Sequence, residues 1–148
     1  MANDTRPVLV TIVSSNAGGD EAPIRLRCSG QVKMTSAGCM LRYQEVQTEE
    51  GTNQTIRQDV LLAVQPDRVT MNRLGDFGTT MVFVKDRRFQ GAYHTPYGDL
   101  ELALFATQVN VSVEENGGSV HLEYQLDMQG SYAAVQTIDV TWTVEGAC

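Results

Sequence analysis

Apolar side chains recur at every second position along most of this chain. Val8, Val10 and Ile12 alternate with polar or small neighbours, and Ile24, Leu26, Cys28, Gly30, Val32 and Met34 do so opposite Arg25, Arg27, Gln31 and Lys33. Ile56, Val60, Leu62 and Val64 share one parity; Val69, Met71 and Arg73 another. Met81 and Phe83, then Val120, Leu122, Tyr124, Leu126 and Met128, and finally Ile138, Val140, Trp142 and Val144 continue the rule. Successive side chains of a strand point to opposite faces, so each run reads as a strand with one buried face. No window carries the 3.6-residue apolar stripe of a helix. The class is all-β.

Short turn signals separate the runs: NAGGDEAP, TSAG, EEGTN, QPD, LGDFG, KDR, TPYG, EENGG and QGSY. Most suit hairpins, which makes successive strands antiparallel neighbours. One run, DLELALFATQVNVSVEE, is too long for an ordinary strand and changes parity, from Leu100, Leu102 and Leu104 to Val109, Val111 and Val113. A one-residue slip turns every side chain to the other face, so the chain must bulge or turn near Ala106–Gln108. About ten strands in sequence order with one such corner favour closure, which removes exposed edges. The expected architecture is a single up-and-down antiparallel β-barrel of about eight to ten strands. It forms one domain over 1–148, ordered over about 7–145.

At 148 residues the chain is long enough for a sizeable core without a metal or disulfide. A net charge of −7, with basic residues scattered, argues against nucleic acid or an anionic membrane as partner. Three cysteines, Cys28, Cys39 and Cys148, have no C-x-x-C spacing and suit free thiols in a reducing compartment. MANDTRPVLV lacks the layout of a secretory leader, and no run of about 18 apolar residues occurs. A cytoplasmic protein is expected, in which Asn3, Asn53 and Asn110 are accidental matches to the glycosylation pattern.

The most eventful stretch, AYHTPYGDLELAL, holds a histidine between two tyrosines. Thr95-Pro96-Tyr97-Gly98 has the composition of a tight turn. Parity directs His94 to solvent and Tyr93 to the core, and places His121 opposite its own apolar row. Neither histidine has an evident nucleophile or orienting acid, so no catalytic residue is assigned. The Cys and His residues are too scattered for a zinc site, and no metal or cofactor is expected. Cys28 reads as a small core side chain. Arg73 is the anomaly: its parity aims a guanidinium inward. A buried charge needs a partner, and Glu45, sharing the parity of Leu41 and Tyr43, is the nearest candidate. Arg73 is then either a rim or ion-pair residue, or a polar group that orients a ligand in a lumen.

Several stretches, in order along most of the chain, resemble the YwiB-like family of small bacterial proteins, a domain-of-unknown-function family. They are LRYQE at 41–45, RLG at 73–75 with MVF at 81–83, YHTPYGDLEL at 93–102 and YQLDMQG at 124–130. The resemblance implies a calycin (lipocalin-like) barrel and brings no substrate, cofactor or catalytic set with it. From the residues themselves, the leading expectation is a non-enzymatic protein that binds a small, partly apolar or amphipathic ligand in the barrel mouth. Tyr43, Glu45, Arg73, Tyr93, Tyr124 and Trp142 are the candidate lining. The alternative is a packed barrel acting through its surface, as a homodimer or an adaptor for a partner protein. An enzyme is the third reading; it needs His94 or His121 to meet an acid across strands.

Overall fold

The computed structural model describes residues 5–16, 23–48, 55–75 and 78–145. Within them the alternating runs become ten strands: β1 (Thr5–Asn16), β2 (Ile24–Met34), β3 (Cys39–Thr48), β4 (Thr55–Gln65), β5 (Arg68–Leu74), β6 (Thr79–Phe83), β7 (Arg88–Thr95), β8 (Gly98–Glu114), β9 (Gly117–Met128) and β10 (Ser131–Val144). Each pairs antiparallel with the next, and β10 pairs with β1 to close the ring. No helix occurs among the described residues. Cys148, Asn3, Asn53 and residues 17–22 of the NAGGDEAP connection lie outside them.

Inward parity fills the ring. Val8, Val10, Leu41, Leu62, Phe83, Leu104 and Leu122 are fully buried, as the alternation requires. Cys28 and Cys39 are buried free thiols in the same core. Burial raises both thiol pKa values, that of Cys39 to about 11, and Glu45 adds to the shift at Cys28. Neither behaves as a reactive nucleophile.

The parity change in β8 is a bulge. Its register against β9 shifts between Ala106 and Gln108, so Thr107 is the extra residue. The Thr107 hydroxyl meets Glu123 twice, at the carbonyl oxygen (3.2 Å) and at Oε2 (2.7 Å). Leu102, Leu104 and Ala106 face the core before the bulge; Val109, Val111 and Val113 pack on it afterwards. A second shift, between Tyr132 and Ala134 of β10, has no parity break in the sequence to announce it. The stretch around His94 is a hairpin turn: Thr95 pairs with Gly98 around Pro96–Tyr97, and Gly98 takes φ 127°, where glycine is favoured.

Two ladders are incomplete along their strands. Between β6 and β7 only Thr79 and Tyr93 are in register, while Lys85 in the connection bridges directly to Ala106 of β8. Between β2 and β3 the pairing runs from Met34–Cys39 to Gly30–Tyr43 and stops. Gly30 marks the parting: a Cβ there would lie 2.5 Å from the Arg42 carbonyl oxygen and 3.0 Å from the Tyr43 Cβ. Beyond it, Ile24–Ser29 pair with β1 alone and Gln44–Thr48 with β4 alone. The ring is therefore a four-stranded sheet, β3–β6, facing a six-stranded sheet, β7–β10 with β1 and β2. Because strands alternate direction, the β1–β2, β3–β4, β5–β6, β7–β8 and β9–β10 connections gather at one end. That end is the mouth, and the β2–β3 ladder parts toward it.

Deleting Thr107 should leave a cooperatively folded barrel without the bulge, because Ala106, Gln108 and Val109 would then alternate in, out and in, and both apolar sets of β8 would keep the core face. Circular dichroism with urea titration checks this; loss of the β spectrum and of the cooperative transition would contradict the register.

Candidate functional site

Between the two sheets, toward the mouth, a cavity of about 230 Å³ remains unfilled. The four-stranded sheet contributes Gln58, Arg73, Thr79 and Met81; the six-stranded sheet contributes Tyr93, Leu102, Tyr124, Leu126, Met128, Gln136 and Ile138. One wall is mainly polar and the other mainly apolar. Such an arrangement, shielded apolar surface with a few convergent polar groups, is the usual make-up of a small-molecule site.

Arg73 does turn inward, and Glu45 meets it. Arg73 Nη1 donates to Glu45 Oε2 at 2.7 Å, reaching from β5 to β3 with β4 between them. The two members are unequally placed: the Glu45 side chain is 5% exposed, that of Arg73 24%. The carboxylate lies deeper while the guanidinium borders the cavity. Removing one member of so buried a pair typically costs about 3–5 kcal/mol, since it leaves the other charge without compensation.

Tyr124 and Tyr43 are the buried phenols near this pair. Tyr124 Oη donates to Gln136 Oε1 at 2.8 Å, and its ring meets Phe83 edge-on with centroids 5.0 Å apart. Burial pushes the Tyr124 phenol up to about 12, against the opposing pull of Arg73. Burial also raises Tyr43, Glu45 adds to the effect, and Arg73 opposes it. The Tyr43 hydroxyl is buried and has no hydrogen-bond partner among the described residues. It does not line the cavity.

The sequence-derived lining is thus brought together only in part. Arg73, Tyr93 and Tyr124 border the cavity, Glu45 stands behind Arg73, and Tyr43 packs below, in register with Gly30 of β2 and Val60 of β4. Trp142 lies at the opposite end of the barrel, in register with Val10 and Gly118, its ring over Gly118. Position along β10 separates it from the mouth, which parity alone could not reveal. Gln58, Thr79 and Gln136 were missed, although each shares the inward parity of its strand: Gln58 with Val60, Thr79 with Met81, Gln136 with Ile138.

Both histidines do meet an acid across strands, on the outer face. His94 Nδ1 lies 2.8 Å from Asp99 Oδ1, and His121 Nδ1 lies 2.5 Å from Asp139 Oδ1. His121 also borders a shallow depression of about 180 Å³ with Ser112, Ser119 and Thr141. Its Nε2, however, is bonded to Gln108 Oε1 at 3.1 Å. Gln108 and the serines lie on opposite sides of the Asn110–His121 pair along the ladder, so the imidazole is turned away from both hydroxyls. No Ser-His-Asp relay is assembled.

A larger depression, about 470 Å³, is also outside the barrel, over β7–β9, where Arg88 faces Asp127 at 3.7 Å beside Glu101 and Gln90. Its opposed charges make it about as polar as apolar, whereas the inner cavity is mainly apolar. The smaller inner cavity is the stronger candidate for that reason.

The family model described as "Domain of unknown function (DUF1934)" matches residues 9–140. Among solved structures, the crystal structure of the ywiB protein from Bacillus subtilis is similar, with a TM-score of 0.72 and 18% identity over 95% of this chain and 92% of that one. At this identity the likeness bears on the fold alone. No curated protein matches.

Replacing Tyr43 by Phe should leave stability unchanged or raise it by up to about 1 kcal/mol, because the variant removes a buried hydroxyl without a partner. Tyr124→Phe should cost about 1 kcal/mol through its bond to Gln136. Urea denaturation checks both. A loss above about 1 kcal/mol for Tyr43→Phe would mean that its hydroxyl is satisfied in solution.

Proposed function

The chain belongs to the DUF1934 family, whose description carries no activity, and from its own geometry we propose that it is a non-enzymatic binding protein for a small, partly apolar molecule held between the two sheets at the barrel mouth. The observation that carries the reading is the cavity itself. An inward guanidinium, two glutamines and a threonine converge there on apolar surface from Leu102, Leu126, Met128 and Ile138. Most of the barrel is packed solid by valine, leucine and phenylalanine, so leaving this end unfilled and polar sacrifices packing energy. A site repays that sacrifice; a purely structural barrel has no need of it.

The size sets the class of occupant. At ~30 Å³ per water-sized group, a cavity of this volume takes roughly eight non-hydrogen atoms, with the open end free to admit a few more. That is a small metabolite, well below the ~300–1,000 Å³ of drug-sized sites. Two buried free thiols among the described residues accord with a reducing, cytoplasmic setting.

A second reading rests on a different observation. Ile24, Val46, Leu74 and Tyr97 are exposed, Tyr97 almost completely, and all four stand at the mouth end. A barrel that paired through this rim, or captured a partner protein there, would cover them.

Thermal-shift measurements with small amphiphiles of about six to twelve non-hydrogen atoms test the first reading. At least one should raise the melting temperature of the parent chain, and Leu126→Trp, which fills the cavity from its apolar wall, should abolish the shift. If no compound stabilises the parent and light scattering reports a concentration-dependent dimer, the rim reading replaces it.

A further inference from the structure

We infer that the occupant of the mouth cavity carries an anionic, acceptor-rich head, most simply a carboxylate, on a short apolar tail, with Arg73 taking the head. The inference rests on the reading of this cavity as a binding site and goes further by assigning the ligand's polarity and orientation.

The argument is a count of unspent hydrogen-bonding capacity. Guanidinium has five N–H donors and no acceptor. Glu45 takes one nitrogen of Arg73, at 2.7 Å, and Arg73 has no further partner among the described residues. Gln136 accepts from Tyr124 through Oε1, which leaves its amide N–H groups to donate. Thr79 spends its hydroxyl proton on the Ala92 carbonyl at 3.1 Å. The negative member of the cavity's only buried ion pair among the described residues, Glu45, is 5% exposed and sits behind the positive one. What Arg73, Gln136 and Thr79 together offer an incoming molecule is therefore chiefly N–H donors and the exposed side of a cation. A carboxylate has only acceptors, and Arg–carboxylate contacts can be two parallel charge-assisted bonds, roughly twice as strong as neutral ones. An ammonium head would bring more donors to a wall already rich in them.

The apolar wall fixes the other end of the molecule. Leu102, Leu126, Met128 and Ile138 come from the six-stranded sheet, opposite Arg73. Head and tail are thereby oriented across the gap between the sheets, and a molecule such as hexanoate, with eight non-hydrogen atoms, matches the volume given above. Methionine beside leucine gives a wall that adapts to tail shape, so selectivity is expected at the head rather than the tail.

The test compares hexanoate, hexan-1-ol and hexylamine, which share a tail and differ in head, by calorimetry and thermal shift on the full chain. Hexanoate should bind at least tenfold more tightly than hexan-1-ol, and hexylamine should bind most weakly. Arg73→Gln alone leaves Glu45 without its cation and can fail to fold. The double variant Glu45→Gln/Arg73→Gln removes both charges, and in it the preference for hexanoate over hexan-1-ol should fall to within about threefold. Equal binding of the alcohol and the carboxylate to the parent would overturn the head-group inference while leaving the cavity reading intact. A preference that persists in the double variant would overturn the role of Arg73. Binding of none of the three, with no stabilising compound in the wider amphiphile set, would remove the cavity reading and this inference together.

Discussion

A ring of strands is held by its weakest ladders, and here two of ten are incomplete. The β6–β7 ladder has one registered pair, and the β2–β3 ladder ends at Gly30–Tyr43. Everything distinctive about the interior follows from those two partings. They divide a closed barrel into sheets of four and six strands. Sheets that are free to separate need not interdigitate side chains across the whole gap, whereas a tightly closed small barrel fills itself. The cavity lies between the sheets at the mouth, bordered on one side by Thr79, Met81 and Tyr93 of the β6–β7 seam.

The placement of charge follows the same division. Glu45, Gln58, Arg73 and Thr79 all belong to the four-stranded sheet, and the large apolar residues of the cavity belong mostly to the other. An arginine in the middle of a packed barrel would bear the full cost of desolvation. Bordering a partly open cavity, Arg73 keeps some solvent while Glu45 compensates it from behind. The ion pair and the incomplete packing therefore depend on each other.

Much of this was legible in the residues, and for identifiable reasons. Alternation fixes which face of each strand is buried, so the inward course of Arg73 and its union with Glu45 could be read from parity together with the cost of an unpaired buried charge. The β8 bulge was legible because a parity break is itself a sequence signal. Trp142 was grouped with the mouth residues because parity says in or out but nothing about height along the barrel; height depends on register, and register placed it beside Gly118 at the far end. The pairing of His94 with Asp99 and of His121 with Asp139 also depends on register, because each bond crosses a ladder. The weak seams had no signature in the alternation, since Met81 and Phe83 keep a perfect period of two beside a strand they scarcely bond.

Amide hydrogen exchange, resolved by residue, tests the division into two sheets most directly. Amides in the long ladders of β8, β9 and β10 should exchange slowest, at rates close to global unfolding, while those of Met81–Phe83, Phe89–Gly91 and Gln44–Val46 should include a set exchanging by local opening at rates orders of magnitude faster. Uniform protection around the ring, with those segments as slow as β9, would contradict the account, because the sheets would then be joined at both seams.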